Sequence, residues 1–285
     1  MFYLVGVQEM IQTLTVLSSK DSSNLPKDFE GLEVNFHKFL NQYQPKVVRS
    51  DRLGVNIVGD KDWESSLTNL FATDSFLNDK NQSCVIGEGL NDNDREVRVK
   101  KLQSALDELS NINAELYFML QLVVDSIFLR YAKDSGGGST SNAIGVIWIN
   151  NRDFWSMTDL MELLVHELTH NALFIDELRF LHFYDYHELL KPENFAQSAI
   201  LHTKRPLDKV LHSIVVASEV LQFRKNCLGK PKNPMVHPDS DTMIKQALDA
   251  YQSITSMSNY KELVTDRGCW ILDKSQAMIN ELIEK

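Results

Sequence analysis

The stretch Leu160-Met161-Glu162-Leu163-Leu164-Val165-His166-Glu167-Leu168-Thr169-His170 constrains this chain more than any other. Its pattern predicts a helix, because Ser156 stands where an N-cap belongs and Asp159 follows three positions later, as in a capping box. Apolar residues continue almost unbroken to Ile175, so the helix is expected to be buried on most sides. Two imidazoles and a carboxylate in such a helix are unfavourable unless something engages them. Residues four apart share a helical face, which lets His166 and His170 aim one nitrogen each at a single cation. Glu167 lies about 100° round the helix and reaches a cation-bound water or the rim of the site instead. The H-E-x-x-H spacing points to a metal centre but names no reaction. Two histidines and one further ligand suit zinc hydrolysis and non-haem iron oxygen chemistry equally.

At 285 residues the chain can bury a sizeable core. A formal net charge of −10, with no basic run interleaved with aromatics, argues against a nucleic-acid partner. Cys84, Cys227 and Cys269 are sparse, odd in number and far apart, which suits a reducing cytoplasm and no disulfide framework. The apolar first seven residues lack a basic flank and meet Glu9 early, so an amphipathic first helix is expected rather than a signal peptide. No apolar run is long enough to span a bilayer; the richest, residues 116–124, is interrupted by Gln121 and followed by Asp125.

In order, the pattern predicts a helix over 1–18, ended by the polar stretch 18–26. Short strands are expected at Val47-Val48 and at 54–58. Residues 59–96 read as turns and scattered charge, with Asn91-Asp92-Asn93-Asp94 a surface loop able to cap the next helix. One long helix is predicted over 96–132 from the stripe Leu102, Ala105, Leu109, Ile112, Leu116, Met119, Val123 and Ile127. Gly136-Gly137-Gly138-Ser139-Thr140-Ser141 breaks it as a flexible connection, since no Gly-Lys-Ser/Thr follows to make a phosphate loop. Residues 143–150 form the best strand, either an edge able to bind an extended peptide or an internal core strand. A second helix, apolar nearly all round, is predicted over 207–221 with Pro206 near its first turn. A linker loop over 231–238 and two helices, 239–254 and 259–284, finish the chain. The expected architecture is α+β and helix-rich: the H-E-x-x-H helix crossed by a second buried helix, with a small β-sheet beside it. One domain over 1–285 is expected, with an N-terminal mixed part (1–135), a metal-site core (136–230) and C-terminal helices (231–285).

Two histidines make a weak site, so a third ligand must come from elsewhere. Asp176 and Glu177 end the same helix and cannot easily turn back. On the second buried helix His212 and Glu219 stand seven residues apart, almost on one line. His212 gives a three-histidine centre and Glu219 two histidines with a carboxylate; the residues alone do not choose. His182, His187 and His202 are expected to be solvated loop histidines, and His37 and His237 carry no pattern.

The segments Gly145 to Asn150, Leu164-Val165-His166-Glu167-x-x-His170-Asn171, Tyr184-Asp185 and Arg205-Pro206-Leu207-x-x-x-Leu211-His212 resemble the HExxH peptide-modification family. That family accompanies ribosomally made, post-translationally modified peptides, and the resemblance covers roughly residues 139–224. It implies an iron(II)- and 2-oxoglutarate-dependent β-hydroxylase of peptide side chains, with a precursor peptide as partner. It maps the ligands to His166, His170 and His212, which favours His212 over Glu219. Such a centre needs a cation for the distal carboxylate of the cosubstrate, and Arg205 is the candidate because guanidinium pairs carboxylates bidentately. The competing reading is a zinc metallopeptidase with Glu167 as general base and Glu219 as good a ligand as His212. A third is a non-catalytic binding protein that keeps the helix as a relic. Neither the substrate peptide nor the oligomeric state follows from the residues.

Overall fold

The computed structural model describes residues 1–19, 25–72 and 86–283. Along the chain lie α1 (Phe2–Ser18), α2 (Phe29–Tyr43), β1 (Asn56–Ile57), α3 (Lys61–Ala72), α4 (Asp92–Ile112), α5 (Ala114–Val123), β2 (Ser126–Leu129), β3 (Gly137–Ser139) and β4 (Val146–Ile149). Then come α6 (Met157–Arg179), β5 (Phe195–Gln197), β6 (Lys204–Pro206), α7 (Leu207–Phe223), α8 (Ser240–Thr255), α9 (Tyr260–Leu263) and α10 (Asp266–Ile283). The fold is α+β and helix-rich, as expected.

Two fully apolar strands form the middle of a four-stranded sheet ordered β1-β2-β4-β3. The first three strands are parallel and β3 runs antiparallel to β4. Alternate side chains explain why both strands are apolar without a gap. Ile127, Leu129, Ile147 and Ile149 join the main core, while Phe128, Val146 and Trp148 join a smaller core that includes Leu67 of α3. β4 is therefore internal, and its edge is not offered to a peptide. The glycine-rich stretch is not a loose connection either, because β3 closes the sheet there. Glycine is needed at that place: a Cβ on Gly137 would come 2.8 Å from the Trp148 carbonyl oxygen and one on Gly138 2.5 Å from the Trp148 indole nitrogen.

The single helix expected over 96–132 is two helices and a strand. Asn113 (φ −153°, ψ 86°) ends α4 and its side chain accepts from the Leu116 N–H to start α5. An apolar stripe at helical spacing survives this break because both helices pack on the same core, and strand residue Ile127 falls on its continuation. Val47-Val48 forms no strand, and residues 61–72, expected as turns, are helical. Asn91 does cap α4, accepting from the Asp94 N–H. The last expected helix is divided into α9 and α10. Cys84, most of the polar stretch 18–26 and part of 59–96 lie outside the described residues.

The capping box is present, with Ser156 Oγ accepting from the Asp159 N–H and the Asp159 carboxylate from the Ser156 N–H. α6 packs against α7, and α7 is enclosed by α1, α6, α8 and α10. That enclosure is why α7 has no polar face. Among the described residues no helix is long and apolar enough to cross a membrane.

Candidate metal centre

Helical periodicity puts Glu162, His166 and His170 one turn apart on one face of α6, and α7 brings His212 against it. Three predicted ligands meet. His166 Nε2 lies 3.0 Å from His170 Nε2, and His170 Nδ1 lies 3.0 Å from His212 Nδ1. A fourth ring joins them, for His237 Nε2 is 2.8 Å from His166 Nδ1. The result is a row, His237–His166–His170–His212, with adjacent outer rings nearly parallel. His212 and His237 are buried, whereas His166 and His170 keep part of their surface open. Burial pushes the pKa of His166 and His170 well below the ordinary imidazole value, and the charges of Lys209 and Arg205 push His170 the same way. Burial, with Lys209 and Arg205 nearby, lowers His212 to about 3 against the pull of Glu177. All three rings are neutral at physiological pH, the state in which an imidazole offers a lone pair.

The donor set fits a cation of the zinc or iron kind. Two nitrogens bound to such an ion at ordinary lengths stand about 2.9–3.4 Å apart, which spans the His166–His170 separation. The fit is incomplete at His212, which faces the opposite nitrogen of His170. A cation held by the two Nε2 atoms would be separated from His212 by the His170 ring, and His212 would have to turn to join them. In agreement, no three His, Cys, Asp or Glu side chains among the described residues already enclose one metal position.

Glu167 turns away from the histidine row toward β3. Its Oε2 accepts from Ser139 Oγ at 2.7 Å, and Asn171 Nδ2 donates to that same hydroxyl oxygen at 2.9 Å. Burial raises the Glu167 pKa to about 8, against the lowering effect of the Ser139 bond. Arg205 is buried on β6 just before α7, and its positive charge reaches both His170 and His212. Glu219 is not at the site. Seven residues along α7 carry it two turns away, where its carboxylate accepts from the Tyr3 and Leu4 N–H groups at 3.0 and 2.8 Å. It satisfies otherwise unpaired amides at the start of α1.

Two further histidines depart from expectation. His182 is not solvated: it is fully buried between Asp176, 2.8 Å from its Nε2, and Glu177, 3.3 Å from its Nδ1. Arg267 pairs the Asp176 carboxylate from the other side. Burial opposes charge on His182, but the carboxylates outweigh it and raise the pKa; burial also opposes ionisation of Asp176 and Glu177, yet His182 and Arg267 or Tyr186 keep both low. The raised His182 stabilises the fold below about pH 6.5 and loses this as pH rises through its folded pKa. The lowered carboxylates stabilise it above about pH 4 and lose this as pH falls through theirs. The contribution of this cluster is expected to be fullest between about pH 4.5 and 6.5. The depressed imidazoles of the row act in the opposite sense there, because the unfolded chain protonates them first, so the readout is the difference between proteins. His182→Gln is expected to flatten the loss of stability above about pH 6.5 relative to the wild type. An alkaline limb unchanged in the variant counts against the pairing.

His237 is the residue that sequence reasoning missed. The linker loop over 231–238 folds back on α6: the Met235 N–H donates to Asp159 Oδ1 at 2.8 Å and Arg224 Nη1 to the Pro238 carbonyl oxygen at 2.9 Å. No spacing announces a histidine delivered by a returning loop. Glu162 did carry a signal, being one turn upstream of His166 on the same face. The chain matches no known family model and none of the curated proteins it was compared with.

Proposed function

We propose that this protein is a metal-dependent oxygenase that hydroxylates a side chain of a ribosomally made peptide, with His166, His170 and His212 as ligands. The observation that carries the reading is the meeting of three neutral imidazoles from α6 and α7, with two of them partly exposed. Their identity and order resemble the HExxH peptide-modification pattern. Iron(II) with 2-oxoglutarate and O2 would supply the oxidation there, turning a β-carbon C–H into C–OH while the keto acid becomes succinate and CO2. The chain's own part is to present lone pairs, to limit water with the apolar walls of α6 and α7, and to bind the substrates. Arg205 is the candidate for the distal carboxylate of the keto acid, supported by its burial at the head of α7 within electrostatic reach of His170 and His212. Glu167 holds a proton beside β3 rather than activating water.

A zinc peptidase is the second reading, favoured by one observation: Glu167 adjoins an edge strand of the sheet, the place where an extended peptide can add. Anaerobic loading with iron(II), followed by O2-dependent conversion of 2-oxoglutarate to succinate and mass spectrometry of a candidate precursor peptide, tests the proposal. A mass gain of one oxygen supports it. Peptide cleavage by the zinc-loaded chain without O2, abolished in Glu167→Gln, overturns it in favour of the peptidase.

A further inference from the structure

We infer that Glu162 and His237 together fix the His166 imidazole in the tautomer that is protonated on Nδ1, so that Nε2 presents its lone pair to the centre. The inference rests on the metal reading only for what that lone pair is used for; the tautomer itself follows from counting donors.

The count starts at Arg224. Its Nε and Nη2 donate to the two Glu162 oxygens at 2.7 and 2.8 Å, and both side chains are almost wholly buried. A carboxylate gripped at both oxygens by a guanidinium is ionised and can only accept. His237 Nδ1, 3.1 Å from Glu162 Oε2, must therefore be the protonated nitrogen of that ring. In a neutral ring the other nitrogen then accepts, so His237 Nε2 takes a proton from His166 Nδ1 at 2.8 Å. His166 Nε2 is left bare, facing His170. In the metal-free chain the polarity runs on: His170 Nε2 donates to His166 Nε2, and His170 Nδ1 accepts from His212 Nδ1. A cation held by the two Nε2 atoms would require the His170 proton to move to Nδ1 and the His212 proton to move to Nε2, while His166 already has the required tautomer. One buried ion pair sets the proton positions of four rings.

The relay is held rigidly. Asp159, the capping-box residue, anchors the returning loop at Met235, and Arg224 anchors it at Pro238 and Ser240. Groups behind a ligating histidine that accept its second N–H fix ring orientation and raise basicity. Here the acceptor is a second histidine with a carboxylate behind it. His237 and Glu162 are thus positioning residues.

The test uses the full chain, metal-free, labelled with 15N at histidine, together with zinc(II) affinity measured by chelator competition. Nitrogen shifts of wild-type protein are expected to show His166 protonated on Nδ1. His237→Ala is expected to give a tautomer mixture at His166 and to weaken zinc(II) binding about 10- to 100-fold. His237→Gln offers an oxygen to His166 and an N–H to Glu162, so it is expected to recover the tautomer and most of the affinity. A merely structural role would leave the tautomer unmoved in all three proteins. Protonation on Nε2 in the wild type, or a tautomer and affinity unchanged in His237→Ala, overturns the inference. If the alanine variant does not fold, the wild-type spectrum decides alone. A wild-type chain with the Nδ1–H tautomer and no affinity for zinc(II) or iron(II) upholds the relay and overturns the metal reading instead.

Discussion

His170→Ala is expected to lower zinc(II) or iron(II) affinity by more than about 100-fold, beyond the usual effect of a residue behind a ligand. His170 is the middle of the row: its Nε2 faces His166 and its Nδ1 faces His212, so its removal separates the α6 contribution from the α7 contribution. Glu219→Ala is the control. The carboxylate of Glu219 is spent on the Tyr3 and Leu4 amides, so cation affinity should not change, while stability falls by about 1–3 kcal/mol because two amides lose their acceptor. Equilibrium dialysis with metal analysis, beside denaturant titration, separates the two effects. Loss of metal in Glu219→Ala at full stability, with none in His170→Ala, would place the centre elsewhere in the molecule.

Arg224→Met is expected to destabilise the fold by about 3–5 kcal/mol, the range seen when one partner of a buried ion pair is removed. Glu162 then keeps a buried charge with the His237 N–H beside it and no guanidinium to balance it. The same substitution releases the loop at Pro238 and Ser240. Combining it with Glu162→Gln removes the stranded charge, so the double variant should be more stable than Arg224→Met alone, and urea titration of the three variants measures the coupling. Additive losses would mean that the pair is not coupled through charge. The ion pair is weak evidence for stability in its own right, because replacing both partners with apolar groups is often neutral. Its clearer effect is on His237, whose Nδ1–H it holds.

Chain and fold agree unevenly, and the reason lies in the range of the interactions. The capping box at Ser156 and Asp159, the pairing of His166 with His170 and the all-round apolarity of α7 were legible because each depends on neighbours within two or three turns. The stripe from Leu102 to Ile127 misled for a related cause. Periodicity reports which residues face a core, and it does not report that Asn113 breaks the helix or that residues 126–129 extend into the sheet. The choice between His212 and Glu219 could not be read locally either, since both lie on one line of one helix. Where the two side chains stand turned on how α1 docks: its opening amides occupy Glu219, while His212 lies against the α6 histidines.

Local spacing thus sufficed to put two imidazoles on one face and to bury the helix that holds them. The remaining members of the site came from packing: α7 supplied His212, β3 supplied the Ser139 hydroxyl that turns Glu167 aside, and a loop returning under Asp159 and Arg224 supplied His237. A contact four positions apart is dictated by the helical repeat. A contact across 71 positions, like that of His166 with His237, is dictated by which surfaces exclude water together, and only the folded chain specifies those.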